Sequence, residues 1–341
     1  MIRWGVLGAA SIARRRVIPA IQASSNGRVT AVASRDPARA QALADELGLP
    51  IVHPNYDSLL ADPAIDAIYN PLPNSEHLRW TIATLNAGKP VLCEKPFALT
   101  ADDAQRMVDV ARQGGVLLAE AFMYRFHPRV TRLLALIQTG TIGQVRIVRS
   151  TFTFGPLAAG NIRLDPTLGG GVLMDVGCYC VNLARLVYGR EPDTVKALAH
   201  NGDNNVDETF AGILDFGGGA LATFDVSFGG QGGSNYEIIG TEGKLVAPLG
   251  FRPETNQPTE LHVYRNWEQE TIMIEPADQY RLMAEDFADA IITQRPVRFG
   301  PEDGVANMRV LEALRADAQL TSRQPSPISY QATSPKLMAD S

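Results

Sequence analysis

The sequence predicts an α/β protein: a doubly wound parallel sheet, followed by an α+β part built on a mostly antiparallel sheet. Three observations predict it. The first third alternates β-rich runs with helical patterns of period 3.6. Over 194–275, β-branched and aromatic runs follow one another with turns between them. The length, 341 residues, suits two domains at about 150 residues each. The division falls near residue 125, giving units 1–125 and 126–330 and a tail, 331–341.

The elements follow in order. Ile2 to Leu7 reads as a strand and Ser11 to Ala23 as a helix. Val29 to Ser34 is the second strand. Asp36-Pro37 supplies an N-cap and a first-turn proline for a helix ending near Leu47, and Gly48 stops it. Further strands fall at Ile51-Val52, Ala67 to Asn70, Val91 to Glu94 and Val116 to Ala119. Helices 76–87 and 101–113 separate the later ones, with Gly88 and Gly114 as stops. The second unit shows strand patterns at 145–154, 194–200, 207–216, 219–228, 235–247, 260–266 and 270–275. Its helices fall at 127–138, 173–188, 279–294 and 302–320. The chain after Pro325 has no periodicity and is expected to lie against the body or a neighbouring subunit.

Composition excludes several classes. The hydrophobic fraction is 45% and the charged fraction 20%, which fits a globular chain rather than a disordered one. Lys plus Arg is 31 against 37 for Asp plus Glu, a net charge of −6, which argues against nucleic acid as the main partner. No uncharged apolar run reaches the roughly 18 residues of a membrane span. Arg14 to Arg16 follow the first apolar stretch instead of preceding it, so the N-terminus does not read as a signal peptide. Three cysteines make no paired framework, and the expected setting is cytoplasmic. Cys178 and Cys180 face different ways on a helix, and no metal site is expected.

The run GVLGAASIA (Gly5 to Ala13) joins the first strand to the first helix. In the dinucleotide fingerprint, glycines make this turn and let a pyrophosphate approach the backbone. Those places fall here on Gly8, Ala10 and Ala13. The helix start at Ser11 and Ile12 offers N–H groups and a positive dipole end, and the bland alternative is an ordinary strand-to-helix turn. The second strand ends in Ala33-Ser34-Arg35, where an NAD site usually carries an acid. Ser34, Arg35 and Arg39 can donate to a 2′-phosphate instead, so NADP is favoured over NAD. Asp36 could serve as the ribose acid, but the N-cap before Pro37 is the preferred reading.

Glu94-Lys95-Pro96 ends a core strand, where open parallel sheets bind ligands. Lys95 is either a snorkelling surface residue or a catalytic group. After Gly169-Gly170-Gly171, a helix presents Asp175, Tyr179 and Asn182 at i, i+4 and i+7, which share one face. That stripe reads as a site or as a solvated surface.

Taken together these segments resemble the Gfo/Idh/MocA oxidoreductases, the family of glucose–fructose oxidoreductase and inositol dehydrogenase. The resemblance runs through GVLGAASIA, NPLPNSEH (Asn70 to His77), EKP, EAFMYRFHP (Glu120 to Pro128), GGGVLMDVGCY and QYRLMAEDFADAI. It implies a Rossmann unit and an open-faced second sheet whose outer face commonly makes a dimer. It also implies that Lys95, Asp175 and Tyr179 surround the nicotinamide ring and are catalytic. Pro71, Leu72, Asn74, His77, Glu94 and Lys95 would then line the cofactor cleft. Arg125 and Arg163 would contact cofactor or substrate, with Lys95, Asp175 and Tyr179 also meeting the substrate. Tyrosine rather than histidine at 179 is similar to the branch of NADP-dependent D-xylose and other aldose 1-dehydrogenases and dihydrodiol dehydrogenase.

The expected reaction is oxidation of C1 of an aldopyranose, such as D-xylose or D-glucose, to the lactone. Tyr179 is the expected acid/base, with its pKa lowered by Lys95, and Asp175 orients the lysine or a sugar hydroxyl. Which of the two moves the proton stays open. Oxidation of a trans-dihydrodiol and reduction of a keto-sugar or dicarbonyl use the same chemistry. A regulatory dinucleotide-binding protein is the non-enzyme alternative, disfavoured because Lys95, Asp175 and Tyr179 are all retained. The strands over 207–228 carry apolar residues on both faces, which predicts a homodimer or larger even assembly joined sheet to sheet.

Overall fold

The structure, a computed structural model, describes residues 1–322. The segment after Pro325 lies outside the described residues. The first unit runs β1 (Ile2–Leu7), α1 (Ile18–Gln22), β2 (Gly27–Ala33), α2 (Pro37–Leu47), β3 (Ile51–His53), α3 (Tyr56–Ala61), β4 (Ala67–Asn70), α4 (His77–Asn86), β5 (Val91–Cys93), α5 (Ala101–Gly114) and β6 (Leu118–Glu120). Its sheet has the order β3-β2-β1-β4-β5-β6, and every pair is parallel. The order reverses between β1 and β4, and a crevice opens beyond the carboxyl ends of such strands.

Local chemistry explains most boundaries. Asp36 Oδ1 accepts from the Ala38 and Arg39 N–H groups at 3.0 and 3.3 Å, so this carboxylate caps α2. The helix before β6 ends on Gly115 at φ +61°, one residue beyond the expected Gly114. α3 was not anticipated. Its six residues are too few to show a period, and Asn55 Oδ1 starts it by accepting from Ser58 N at 2.8 Å.

The second unit runs α6 (Pro128–Gln138), β7 (Val145–Phe154), α7 (Cys178–Tyr188), β8 (Thr194–Asn201), β9 (Asp207–Asp215), β10 (Leu221–Phe228), β11 (Tyr236–Gly240), β12 (Lys244–Ala247), β13 (Thr259–Arg265), β14 (Glu268–Ile274), α8 (Gln279–Thr293) and α9 (Pro301–Ser322). Its sheet order is β14-β13-β12-β11-β7-β10-β9-β8, antiparallel except for β7 with β10. The α/β class and the two kinds of sheet agree with the expectation. The single strand expected over 235–247 is instead a hairpin: Gly240 N donates to Gly243 O at 2.8 Å, and Tyr236 pairs with Ala247.

The two units share their packing. α8 covers the first sheet, with the Phe287 ring 5.7 Å from Trp4. Asn26 Nδ2 donates to the Glu285 carbonyl at 2.8 Å and to Asp289 Oδ1 at 2.7 Å. A division at residue 125 therefore separates the sheets but not the core. The most apolar helical stretch, within 166–188, is largely buried in that core.

The outer face of the second sheet carries the apolar residues expected on it, Ala211, Ile213 and Leu221. Phe210, Leu214, Phe224 and Val226 all point inward and are buried. Leu198 joins the outward group, as do Ile147 and Ile239 in register with Leu221, beside Lys196, Thr209 and Asp225.

Candidate active site

The turn after β1 closes at Gly8, whose N–H donates to the Ala33 carbonyl at 2.6 Å. Its φ of +84° and the Leu72 methyl, 2.9 Å from where a Cβ would stand, both require glycine. Beyond it Ala10, Ser11 and Ile12 begin a helix that passes through a π-helical segment, Ala13–Val17, into α1. The first-turn N–H groups of a helix have no intrahelical partner. Together with the glycine-only turn, they fit a dinucleotide pyrophosphate.

At the end of β2, Ser34 is buried and its Oγ accepts from Asp36 N at 3.2 Å. Arg35 and Arg39 are exposed, with Arg39 Nη2 3.5 Å from the Ala9 carbonyl. Because Asp36 caps α2, this strand end presents a hydroxyl and two guanidinium groups, a donor set suited to a 2′-phosphate.

A cleft of about 460 Å³ runs from that helix start to the second sheet. Pro71, Leu72, Asn74, Glu94, Lys95, Arg163, Asp175 and Tyr179 line it with Ala10, Ser11 and Ile12. Lys95 comes from the end of β5. Asp175 comes from a second π-helical segment, Leu173–Gly177, that leads into α7, and such wide turns are frequent at functional sites. Lys95 Nζ donates to the Asp175 carbonyl at 2.7 Å and lies 3.3 Å from Asp175 Oδ1. Arg163 Nε donates to Asp175 Oδ2 at 2.6 Å. Gly169 to Gly171 allow this approach. A Cβ on Gly170 would stand 2.5 Å from the Arg163 carbonyl oxygen, and Asn74 Nδ2 donates to Gly169 O at 2.8 Å.

Charge follows from this geometry. Burial works against the Asp175 carboxylate, but Lys95 and Arg163 outweigh it and hold its pKa below the ordinary value. Burial also opposes the Lys95 ammonium, yet Asp175 raises it above the ordinary lysine range. Glu94 moves the other way: burial raises it despite Lys95, and Tyr69 donates to its Oε1 at 2.7 Å.

Tyr179 corrects the sequence reading. Its ring faces Lys95, with Nζ 5.1 Å from the centroid, and its hydroxyl contacts Met123 Sδ at 3.3 Å. Phe122, Phe152 and Phe251 surround the ring. Burial, with Tyr280 and Glu94 adding to it, pushes the phenol well above 10, so the expected lowering by Lys95 does not occur.

Ser34, Arg35 and Arg39 lie outside the lining of this cleft, and Arg125, His77 and Asn182 are buried away from it. Arg125 is 3% exposed and paired with Asp303 at 2.5 Å, against the Phe299 ring. His77 is fully buried, its ring nitrogens 2.9 and 2.8 Å from the Pro96 and Leu72 carbonyls. It ties together two loops that line the cleft, and burial lowers its pKa. Asn182 is buried too, accepting from Tyr124 Oη at 2.6 Å. The cysteines at 93, 178 and 180 are buried thiols, and burial pushes Cys180 up to about 12.

The sequence reading missed other lining residues: Arg15, Arg16, Met123, Phe152, Arg252 and Tyr280. Tyr280 and Met123 stood in quoted motifs without an assigned role. Arg252 had no local signal. Its loop is set by buried Arg129, which donates to the carbonyls of Pro248, Leu249 and Gly250 at 2.8–2.9 Å and to Thr259 Oγ1 at 2.6 Å.

Comparison with known proteins agrees with this architecture. Residues 2–122 match the oxidoreductase family with an NAD-binding Rossmann fold, and residues 130–246 match the GFO/IDH/MocA C-terminal domain. D-xylose 1-dehydrogenase (NADP(+)) 2 of Haloferax volcanii is 41% identical over 318 residues, covering 93% of this chain and 97% of that protein. Trans-1,2-dihydrobenzene-1,2-diol dehydrogenase of Danio rerio is 35% identical, covering 72% of this chain and 74% of its own. The crystal structure of KijD10, a 3-ketoreductase from Actinomadura kijaniata in complex with NADP and TDP-benzene, superposes with a TM-score of 0.88 at 33% identity. That match covers 93% of this chain and 97% of the other. With both of its sheets matched in this way, the chain belongs to the Gfo/Idh/MocA family of oxidoreductases.

Proposed function

We propose that the protein is an NADP-dependent sugar dehydrogenase that oxidises C1 of an aldopyranose, such as D-xylose or D-glucose, to the lactone. The observation that carries this reading is the Lys95–Asp175–Tyr179 constellation, set in one cleft with Ala10, Ser11 and Ile12. The 41% identical D-xylose 1-dehydrogenase supports it. Gly8, Ser11 and Ile12 would hold the pyrophosphate of NADP, and Ser34, Arg35 and Arg39 its 2′-phosphate. When bound, the dinucleotide supplies hydride transfer.

The chain's own residues manage the proton and the orientation. Asp175 fixes Lys95 and Arg163 on either side of its carboxylate, so a sugar hydroxyl beside them meets two donors and an acceptor. Lys95 and Tyr179 both stay protonated at neutral pH in this geometry. Oxidation needs one of them to lose its proton first, which favours alkaline conditions. The same observation favours a second reading, reduction of a keto-sugar, because a protonated pair is ready to donate to a developing alkoxide. In both, Arg163 contacts the substrate.

The assembly is proposed to be a homodimer, or a larger even assembly, through the outer face bearing Leu198, Ala211, Ile213 and Leu221. Absorbance at 340 nm tests the activity, with purified protein, NADP or NADPH, and a panel of aldoses, ketoses and diols. Reduction of NADP by aldoses supports the first reading. Turnover confined to NADPH and keto-sugars moves the conclusion to the second, and turnover of dihydrodiols alone overturns both.

A further inference from the structure

The cleft carries more positive charge than its cofactor explains. Arg15, Arg16, Lys95, Arg163 and Arg252 line it, against two carboxylates, Glu94 and Asp175. This lies within a chain of net charge −6. Lys95 and Arg163 are matched to Asp175. Arg15, Arg16 and Arg252 make no side-chain hydrogen bond or ion pair among the described residues, whereas neighbouring Arg14 is paired with Glu46 at 2.6 Å. In NADP⁺, the pyrophosphate brings two negative charges and the nicotinamide ring one positive. The 2′-phosphate belongs to Ser34 and Arg35, outside this lining. A cationic excess remains in the cleft, whose walls can focus its field.

Two of these arginines come from different parts of the chain and line the same cleft. Arg16 stands on the helix after the phosphate turn, and Arg252 on the loop that Arg129 fixes. Tyr280 lines that cleft too. Burial and Glu94 raise its phenol, while Arg252, Arg16 and Lys95 act the other way. Arginine is suited to carboxylate and phosphate because its fork of N–H donors matches two oxygens.

We propose that the preferred substrate is an aldose bearing an anionic group, a carboxylate or a phosphate, remote from C1, and that Arg16 and Arg252 receive that group. This rests on the sugar-dehydrogenase reading and narrows its substrate class. Aromatic Phe152 and Tyr280 would flank the sugar body, and Lys95, Asp175 and Arg163 would meet the reacting end.

The test compares kcat/KM for D-glucose, D-xylose, D-glucuronate and D-glucose 6-phosphate, in wild type, Arg16→Ala, Arg252→Ala and Arg252→Lys. NADP affinity is measured in parallel. An anionic aldose is expected to exceed its neutral analogue by tenfold or more at low salt, with the advantage shrinking as ionic strength rises. Glucuronate against the phosphate tells which anion is meant. Each alanine variant is expected to cut the anionic-to-neutral ratio about tenfold, and Arg252→Lys to restore part of it. A wild-type ratio near one overturns the proposal. So does an alanine variant that weakens NADP as much as the anionic sugar, because the arginines then serve the cofactor. If no sugar is turned over, calorimetric binding of D-glucose 6-phosphate to the NADPH-loaded protein separates the two claims. Binding that is lost in Arg252→Ala keeps the anion site and overturns the dehydrogenase reading, and absence of binding overturns both.

Discussion

Asp175 holds Lys95 by two routes: its backbone carbonyl accepts from the ammonium at 2.7 Å, and its carboxylate stands 3.3 Å away. Only the second depends on the side chain. Asp175→Asn therefore keeps the lysine in place while removing the charge that raises its pKa. Wild-type oxidation is expected to climb with pH, because the base form of a group with a raised pKa becomes populated only on the alkaline side. In Asp175→Asn the climb is expected to begin at lower pH, with kcat reduced about ten- to a hundredfold. pH–rate profiles of both proteins check this, and an unshifted profile removes Lys95 from the proton path.

Tyr179→Phe keeps the ring against Phe122 and Phe251 and removes only the hydroxyl. A fall in kcat of about two to four powers of ten is expected, with NADP affinity near wild type. Single-turnover rates in both directions make the comparison. Retention of most of the rate makes Tyr179 a positioning residue and leaves the proton to Lys95.

Arg35→Ala addresses cofactor choice. Asp36 is committed to the N-terminus of α2, so nothing acidic opposes a phosphate at this strand end. The loss is expected to weaken NADP relative to NAD by about 1.5–3 kcal/mol. Fluorescence titration with both dinucleotides reads the ratio. If the ratio stands still, Arg39 is the next residue to replace.

Ile213 is 47% exposed and sits opposite Lys196 and Thr223 on the outer sheet face. Ile213→Lys is expected to turn a dimer into a monomer with secondary structure unchanged. Light scattering at micromolar concentration gives the mass. A monomeric wild type contradicts the proposed assembly outright.

Arg129 is fully buried and satisfies three carbonyls of the 248–250 loop. Arg129→Met leaves the buried Gly250 carbonyl and the part-buried ones of Pro248 and Leu249 without this donor, and an unsatisfied buried group costs about 1–3 kcal/mol. A stability loss of about 3 kcal/mol or more is expected in urea unfolding. A midpoint like wild type shows that water reaches the loop.

Much of this site was legible in the sequence because its signals are local. Lys95 follows a core strand, and Gly8 opens a strand-to-helix turn whose conformation only glycine adopts readily. Asp36 was preferred as a cap because Pro37 follows it. What escaped depends on distant partners. Arg125 resembled a ligand contact because its partner, Asp303, lies 178 residues away. Asn182 shares helical spacing with Asp175, but the π-helical segment intervenes and its partners are Tyr124 and Asp303. The direction of the Tyr179 hydroxyl depends on Met123 and the aromatic cage. Arg252 reaches the cleft only because Arg129 folds its loop.

The packing of α8 against Trp4 has a consequence for synthesis. A nascent chain usually folds domain by domain from its N-terminus, but here the first sheet waits for residues 279–293 to emerge before Trp4 is covered. Until then the side of Trp4 that Phe287 covers stays open. A chain stalled near residue 125 would be a client for chaperones rather than a cofactor-binding domain.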